Sequence, residues 1–254
     1  VAVTTGHGAV LIAPVDGSPP FELGFFRGRV LSVAVGPGGA TVAAGGGVVD
    51  PTEAVVRVWD LATREVTQLD GGDGQAVQQL RFTTDGRLLA SSGGRLWCWD
   101  LATRARELLV DGVSRFASSP DGGLVVALAG GSSSPQDAGT AAVHDLARGT
   151  RVELRTHGTS LRAVAVGPLG STVATGGHDR VVRVGPLSGD EPHLLFGHQG
   201  LVSAFAVSPD GRWVASGSRD GTIRLWPTPS GRPFPTLPRE ELLERLRALR
   251  SYRV

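Results

Sequence analysis

The chain has 254 residues, 41% of them hydrophobic, with 37 glycines and 16 prolines; that is enough to bury a sizeable core but too rich in turn formers for long internal helices, and it favours many short strands. Twenty-five Lys and Arg stand against 24 Asp and Glu, so no global field draws in nucleic acid or an anionic membrane. A single cysteine, Cys98, excludes an internal disulfide framework and suits a reducing, cytoplasmic setting, and no run approaches the roughly 18 apolar residues of a membrane span.

The first residues have neither the basic start nor the hydrophobic segment of a signal peptide, and no methionine occurs, position 1 included. This is the pattern of a segment from within a longer gene product. Val1 to Thr4, Ala9 to Pro14 and Phe21 to Phe25 read as three strands without an innermost companion. From Val30 the order becomes regular: an apolar-alternating run, a tight turn, a second run ending in small residues, and a third closing on a Trp-Asp-like pair. Five such units begin near Val30, Val77, Val113, Leu161 and Val202, a period of about 40 residues that predicts stacked supersecondary units instead of one irregular core.

Within each unit the turn chemistry is explicit. Thr84-Asp85-Gly86, Pro120-Asp121-Gly122, Gly167-Pro168-Leu169-Gly170 and Ser208-Pro209-Asp210-Gly211 join first strands to second. Two units carry Gly-, Asp-, Ser- or Pro-rich insertions between second and third strands, Gly45 to Ala54 and Gly130 to Gly139, as expected of surface loops on one face. Fourth strands are expected near Glu107 to Val110, His193 to Phe196 and, weakly, Arg232 to Phe234. Pro238 then opens an amphipathic helix with Leu242, Leu243, Leu246 and Leu249 along one stripe. The pattern divides the chain into residues 1–236, the repeats, and 237–254, the helix and tail. A ring of such units tolerates unpaired edges poorly, so another chain or an upstream segment is expected to complete the first unit.

Gly197-His198, Ser208-Pro209-Asp210-Gly211, Ala215-Ser216-Gly217-Ser218, Arg219-Asp220 and Leu225-Trp226 together resemble a WD40 repeat; weaker copies end in Trp59-Asp60 and Trp99-Asp100. The resemblance implies an all-β propeller of four-stranded antiparallel blades, and a function in binding a protein or peptide. It implies a hydrogen-bonded structural network of His198, Ser216, Asp220 and Trp226, and a weaker one of His157, Thr175 and Asp179 in which Val184 replaces the Trp. The tail after Leu237 is similar to the segment following the propeller in large bacterial multidomain signalling proteins, which implies a sensing or docking module beside a kinase, NTPase or peptidase-like effector.

Other chemistry is poorly supported. His198, Ser216 and Asp220 share residue types with a catalytic triad, but nothing supplies an exposed hydroxyl or an oxyanion site. The six histidines are scattered over different units without metal-ligand spacing, and the glycine clusters lack the Lys and Ser or Thr of a phosphate loop, so neither metal nor cofactor is expected. Trp97 and Trp99 alternate with Cys98, placing both indoles on one side and the thiol, a small apolar filler, on the other. An active site in the central channel would need converging carboxylates or histidines that the Val- and Ala-rich first strands do not offer. Asp50, Glu53 and Asp137 in the insertions, with His178 and Arg219 in equivalent turns, form a mixed-charge rim expected to select a protein partner.

Overall fold

The computed structural model describes all residues except 1, 5–7, 15, 48–55, 70–74, 130–139, 155–160, 232, 234–236, 239 and 242–254, and the side chains of 2–4 and 140. The described residues form six antiparallel sheets in chain order. The first holds three strands, β1 (Ala2–Thr4), β2 (Ala9–Ile12) and β3 (Phe21–Phe25). Four full sheets follow: β4 (Val30–Val35), β5 (Thr41–Gly46), β6 (Val56–Asp60) and β7 (Val66–Leu69); β8 (Val77–Phe82), β9 (Leu88–Ser92), β10 (Arg95–Trp99) and β11 (Arg106–Asp111); β12 (Val113–Ser118), β13 (Leu124–Ala129), β14 (Thr140–Asp145) and β15 (Thr150–Glu153); β16 (Leu161–Val166), β17 (Thr172–Gly177), β18 (Val182–Pro186) and β19 (His193–Leu195). The last comprises β20 (Val202–Val207), β21 (Trp213–Ser218) and β22 (Ile223–Pro227).

Each sheet pairs in sequence order, and the first strand of one packs against the first strand of the next, from β4 through β8, β12 and β16 to β20. This is the blade arrangement of a β-propeller. Its core is a set of layers between blades. Val56 and Val58 meet Val77 and Leu80; Leu96 and Cys98 meet Val113 and Phe116; Ala141 and Val143 meet Leu161 and Val166; Val182 and Val184 meet Val202 and Phe205. Period two explains the layering, because alternate residues of a third strand face the blades on either side. Trp99 accordingly packs back onto the second blade while Cys98 faces the fourth.

Side chains stitch the first strands together. Ser32 Oγ accepts the Leu80 N–H at 2.9 Å, and the Gln79 amide donates to the Phe116 carbonyl at 2.8 Å while accepting its N–H at 3.2 Å. The turns below them also touch. Thr84 N–H donates to the Pro120 carbonyl at 2.8 Å, and a Cβ on Gly122 would stand 2.2 Å from Thr83 Cγ2 at a φ of +72°, so both sterics and backbone demand glycine there.

Several expectations need adjusting. The expected strand at Arg232 to Phe234 is not formed at Pro233, and Arg232 and Phe234 lie outside the described residues. Of the C-terminal helix only Glu240 and Glu241 are described, both helical; Leu242, Leu243, Leu246 and Leu249 lie outside. No helix among the described residues is long and apolar enough to cross a membrane.

Candidate functional site

The most connected polar cluster lies in the last blade. His198 precedes β20, Ser216 is mid-β21, Asp220 and Thr222 belong to the turn between β21 and β22, and Trp226 closes β22. Trp226 Nε1–H donates to Ser216 Oγ at 2.8 Å, and the indole can only donate. The Ser216 hydroxyl is therefore free to donate onward to His198 Nε2 at 2.8 Å, which leaves Nδ1–H to donate to Asp220 Oδ2 at 2.9 Å. Asp220 also accepts the Gln199 N–H at 2.8 Å, the Thr222 N–H at 2.9 Å and the Thr222 hydroxyl at 2.6 Å. The Thr222 hydroxyl, followed by the Gln199 N–H and His198, holds this carboxyl well below the usual carboxylate range.

The chain of donors runs one way from Trp226 to Asp220, tying a loop, two strands and a turn into one piece. Ser216 is 1% exposed and the His198 side chain 0%. The hydroxyl already serves the indole and the imidazole and is itself buried. The geometry is that of a brace, and Ser216 and His198 lack the access to solvent that nucleophilic chemistry would need.

The fifth blade resolves differently. Register places Thr175 opposite Arg183 as Ser216 stands opposite Arg224, and Val173 opposite Gly185 as Val214 stands opposite Trp226. The Trp-equivalent position is thus Gly185, not Val184; Val184 corresponds to Leu225 and packs into the layer between blades. Asp179 accepts Arg183 Nη1 at 2.8 Å and the Val181 N–H at 3.2 Å. Thr175 is buried, and His157 lies outside the described residues.

Residues 150–184 and 189–227 match the family model described as WD domain, G-beta repeat. These two segments are WD40 repeats. The first matched segment starts on β15 and the second four residues before β19, the fourth strands of their blades, and each ends on the third strand of the next blade, so the repeat read in sequence is offset by one strand from the blade read in space. No curated protein matches the chain.

Elsewhere the WD40 signature is worn down in a consistent way. Positions equivalent to Ser216 hold Ala44, Ala90 and Ala127, while those equivalent to Trp226 hold Trp59, Trp99 and His144. Burial lowers the pKa of His144, which suits an imidazole occupying an indole's place. The Asp of each Trp-Asp-like pair has its own task. Asp60 accepts the N–H groups of Ala62 and Thr63 at 2.9 and 2.8 Å, Asp100 those of Ala102 and Thr103 at 2.9 Å, and Asp145 those of Ala147 and Arg148 at 3.1 and 3.0 Å. These side chains shape the turn into the fourth strand.

Of the rim, His178 and Arg219 are exposed and register-equivalent, each the first residue after a second strand. Asp50, Glu53 and Asp137 lie outside the described residues. Thr222 and Gln199 were not foreseen as members of the network, although the Asp-Gly-Thr spacing carries the signal of a turn in which carboxylate and hydroxyl meet. Cys98 is buried, and burial pushes its thiol pKa up, which disfavours the thiolate that a nucleophile requires.

Proposed function

We propose that the chain is a non-catalytic interaction scaffold that meets a protein or peptide at the end of the blades where second strands turn into third strands. The observation that carries this reading is the pairing of an interior-facing brace with outward-facing variation at one turn. In adjacent blades the turn holds exposed His178 and Arg219, while the following residues, Asp179 and Asp220, point inward and fix the loop by hydrogen bonds. The turn's shape is fixed from inside, leaving its leading residue free to serve recognition. Asp50, Glu53 and Asp137 belong to the longer connections between the same strands in the second and fourth blades, which would make the rim mixed in charge and selective through electrostatic complementarity.

Charge reversal tests this. The double substitution His178→Glu and Arg219→Glu is compared with Leu169→Asp, which alters an exposed residue of a first-to-second-strand turn. Proteins crosslinked to the immobilised wild-type chain should be lost with the rim variant and retained with the Leu169 variant. Loss only with Leu169→Asp would assign recognition to the other turns and sink the rim.

A further inference from the structure

The last blade presents an apolar face that every other blade keeps covered. Register pairs Gly217 with Ile223, Ala215 with Leu225 and Trp213 with Pro227, and joins Ala204 and Ala206 to the same side through Gly217 and Ala215. Ile223 is 80% exposed and Leu225 67%, whereas their equivalents Val182 and Val184 in the fifth blade are 0% and 2% exposed. The corresponding pairs Val56 and Val58, Leu96 and Cys98, and Ala141 and Val143 are all buried, as are Val10 and Ile12 in the first blade. The composition of this face does not set it apart. Its lack of a neighbour does.

What covers the equivalent face is the same at each of five junctions. The opening residue of the following blade's first strand lies in the covering cluster every time: Val30, Val77, Val113, Leu161 and Val202. The residue three further on is apolar in all five strands, namely Val33, Leu80, Phe116, Val164 and Phe205. A second observation points to the same kind of strand. Six sheets share five first strands, and among the described residues β1, a second strand by its packing on β4, pairs only with β2.

We propose that the face of Ile223, Leu225 and Trp213 is a docking surface for one further strand from outside these 254 residues, which also extends the sheet at β1. Its chemistry follows from the five examples: an extended segment, Val or Leu at its first position and Val, Leu or Phe at its fourth. The apolar row buries Ile223 and Leu225, while its backbone satisfies the free edge of β1. A second copy of this chain does not meet the requirement, because all five of its first strands are already built into blades. Capture of such a strand would link assembly to the rigidity of the last blade, independently of which turns meet a binding partner.

The test grafts a copy of Leu201 to Trp213 ahead of Val1, so that Val1 follows as Val214 does in the last blade. Amide exchange at Ala2–Thr4 should slow at least tenfold, and the melting temperature should rise by roughly 5–10 °C. The double substitution Ile223→Asp and Leu225→Asp should leave the melting temperature of the ungrafted chain unchanged, since both side chains are exposed, yet abolish most of the rise in the grafted one. A graft that protects nothing, or a rise indifferent to the two aspartates, overturns the proposal. So does a concentration-dependent dimer of the ungrafted chain that the aspartates dissociate, which would make a second copy the occupant. Removal of residues 238–254 provides the remaining arm: a fall in melting temperature seen in the native but not the aspartate background would assign the face to the tail and overturn the strand.

Discussion

Ser216→Ala deletes one atom on which two buried groups depend. Oγ accepts from Trp226 and donates to His198, both at 2.8 Å. Losing two neutral hydrogen bonds costs about 2 kcal/mol net, and stranding His198 Nε2 in a fully buried side chain adds roughly another 1 kcal/mol. The expected destabilisation is therefore about 3 kcal/mol. With a urea slope near 2.5 kcal/mol/M this lowers the midpoint by about 1 M without changing the slope. Ser216→Thr, which places here the residue that the fifth blade carries at Thr175, keeps the hydroxyl and should cost under about 1 kcal/mol. Trp226→Phe removes the indole donor, so a double-mutant cycle with Ser216→Ala should return a coupling of about 1 kcal/mol. A Ser216→Ala midpoint within 0.2 M of wild type, together with an additive cycle, would refute the brace.

Three further outcomes follow from local geometry. A Cβ on Gly176 would lie 2.8 Å from Phe205 Cζ and 2.9 Å from Val202 Cγ1, whereas on the equivalent Gly217 the nearest atom is Ala204 Cβ at 3.6 Å; Gly176→Ala should cost about 1–3 kcal/mol and Gly217→Ala should be neutral or stabilising, both read by urea unfolding. Asp220 has a folded pKa below its ordinary value of 3.8, so its contribution is complete above the carboxylate range and drains as pH falls through 3.8 and below; thermal melts from pH 5 to pH 2 should fall less steeply for Asp220→Asn than for wild type, and parallel curves would contradict this. Arg104 sits at a φ of +59°, where the fourth blade has Gly149 at +65°; Arg104→Gly should raise stability by about 0.5–1 kcal/mol, seen as a melting temperature higher by about 2–3 °C.

The blade plan was legible because overlapping signals recur: period-two apolar residues in all five full units, Asp-Gly turns in those that begin at Val77, Val113 and Val202, and Trp-Asp-like endings at Asp60, Asp100 and Asp145. The same signals located the incomplete first sheet. Register was not legible wherever a loop length changed, and this is why Val184 reads as the Trp equivalent from spacing while pairing assigns Gly185. A one-residue offset exchanges the two faces of a blade. His198, Ser216, Asp220 and Trp226 could be joined through the family motif, but Gln199 enters through its backbone N–H, which side-chain identity does not announce. The open face escaped notice for another reason. Ile223-Arg224-Leu225 looks like every other third strand, and only exposure separates it from Val182-Arg183-Val184.

Interior blades and the last blade are held by different means. Blades two to five are compressed between neighbours, and alanine suffices at the Ser216-equivalent position in three of them because layers of Val, Leu and Trp on both faces supply the stability. The last blade has one such layer, made by Val202, Val214 and Phe205 against Val182 and Val184. Among the described residues it is also the blade in which a continuous donor chain links loop, strands and turn. A hydrogen-bond network rigidifies a sheet without needing a neighbour, so polar bracing belongs where apolar layering is halved. The brace holds β22, and with it Ile223 and Leu225, in place while that face stands open, and a preorganised face is what an incoming strand needs in order to dock without first ordering its receptor.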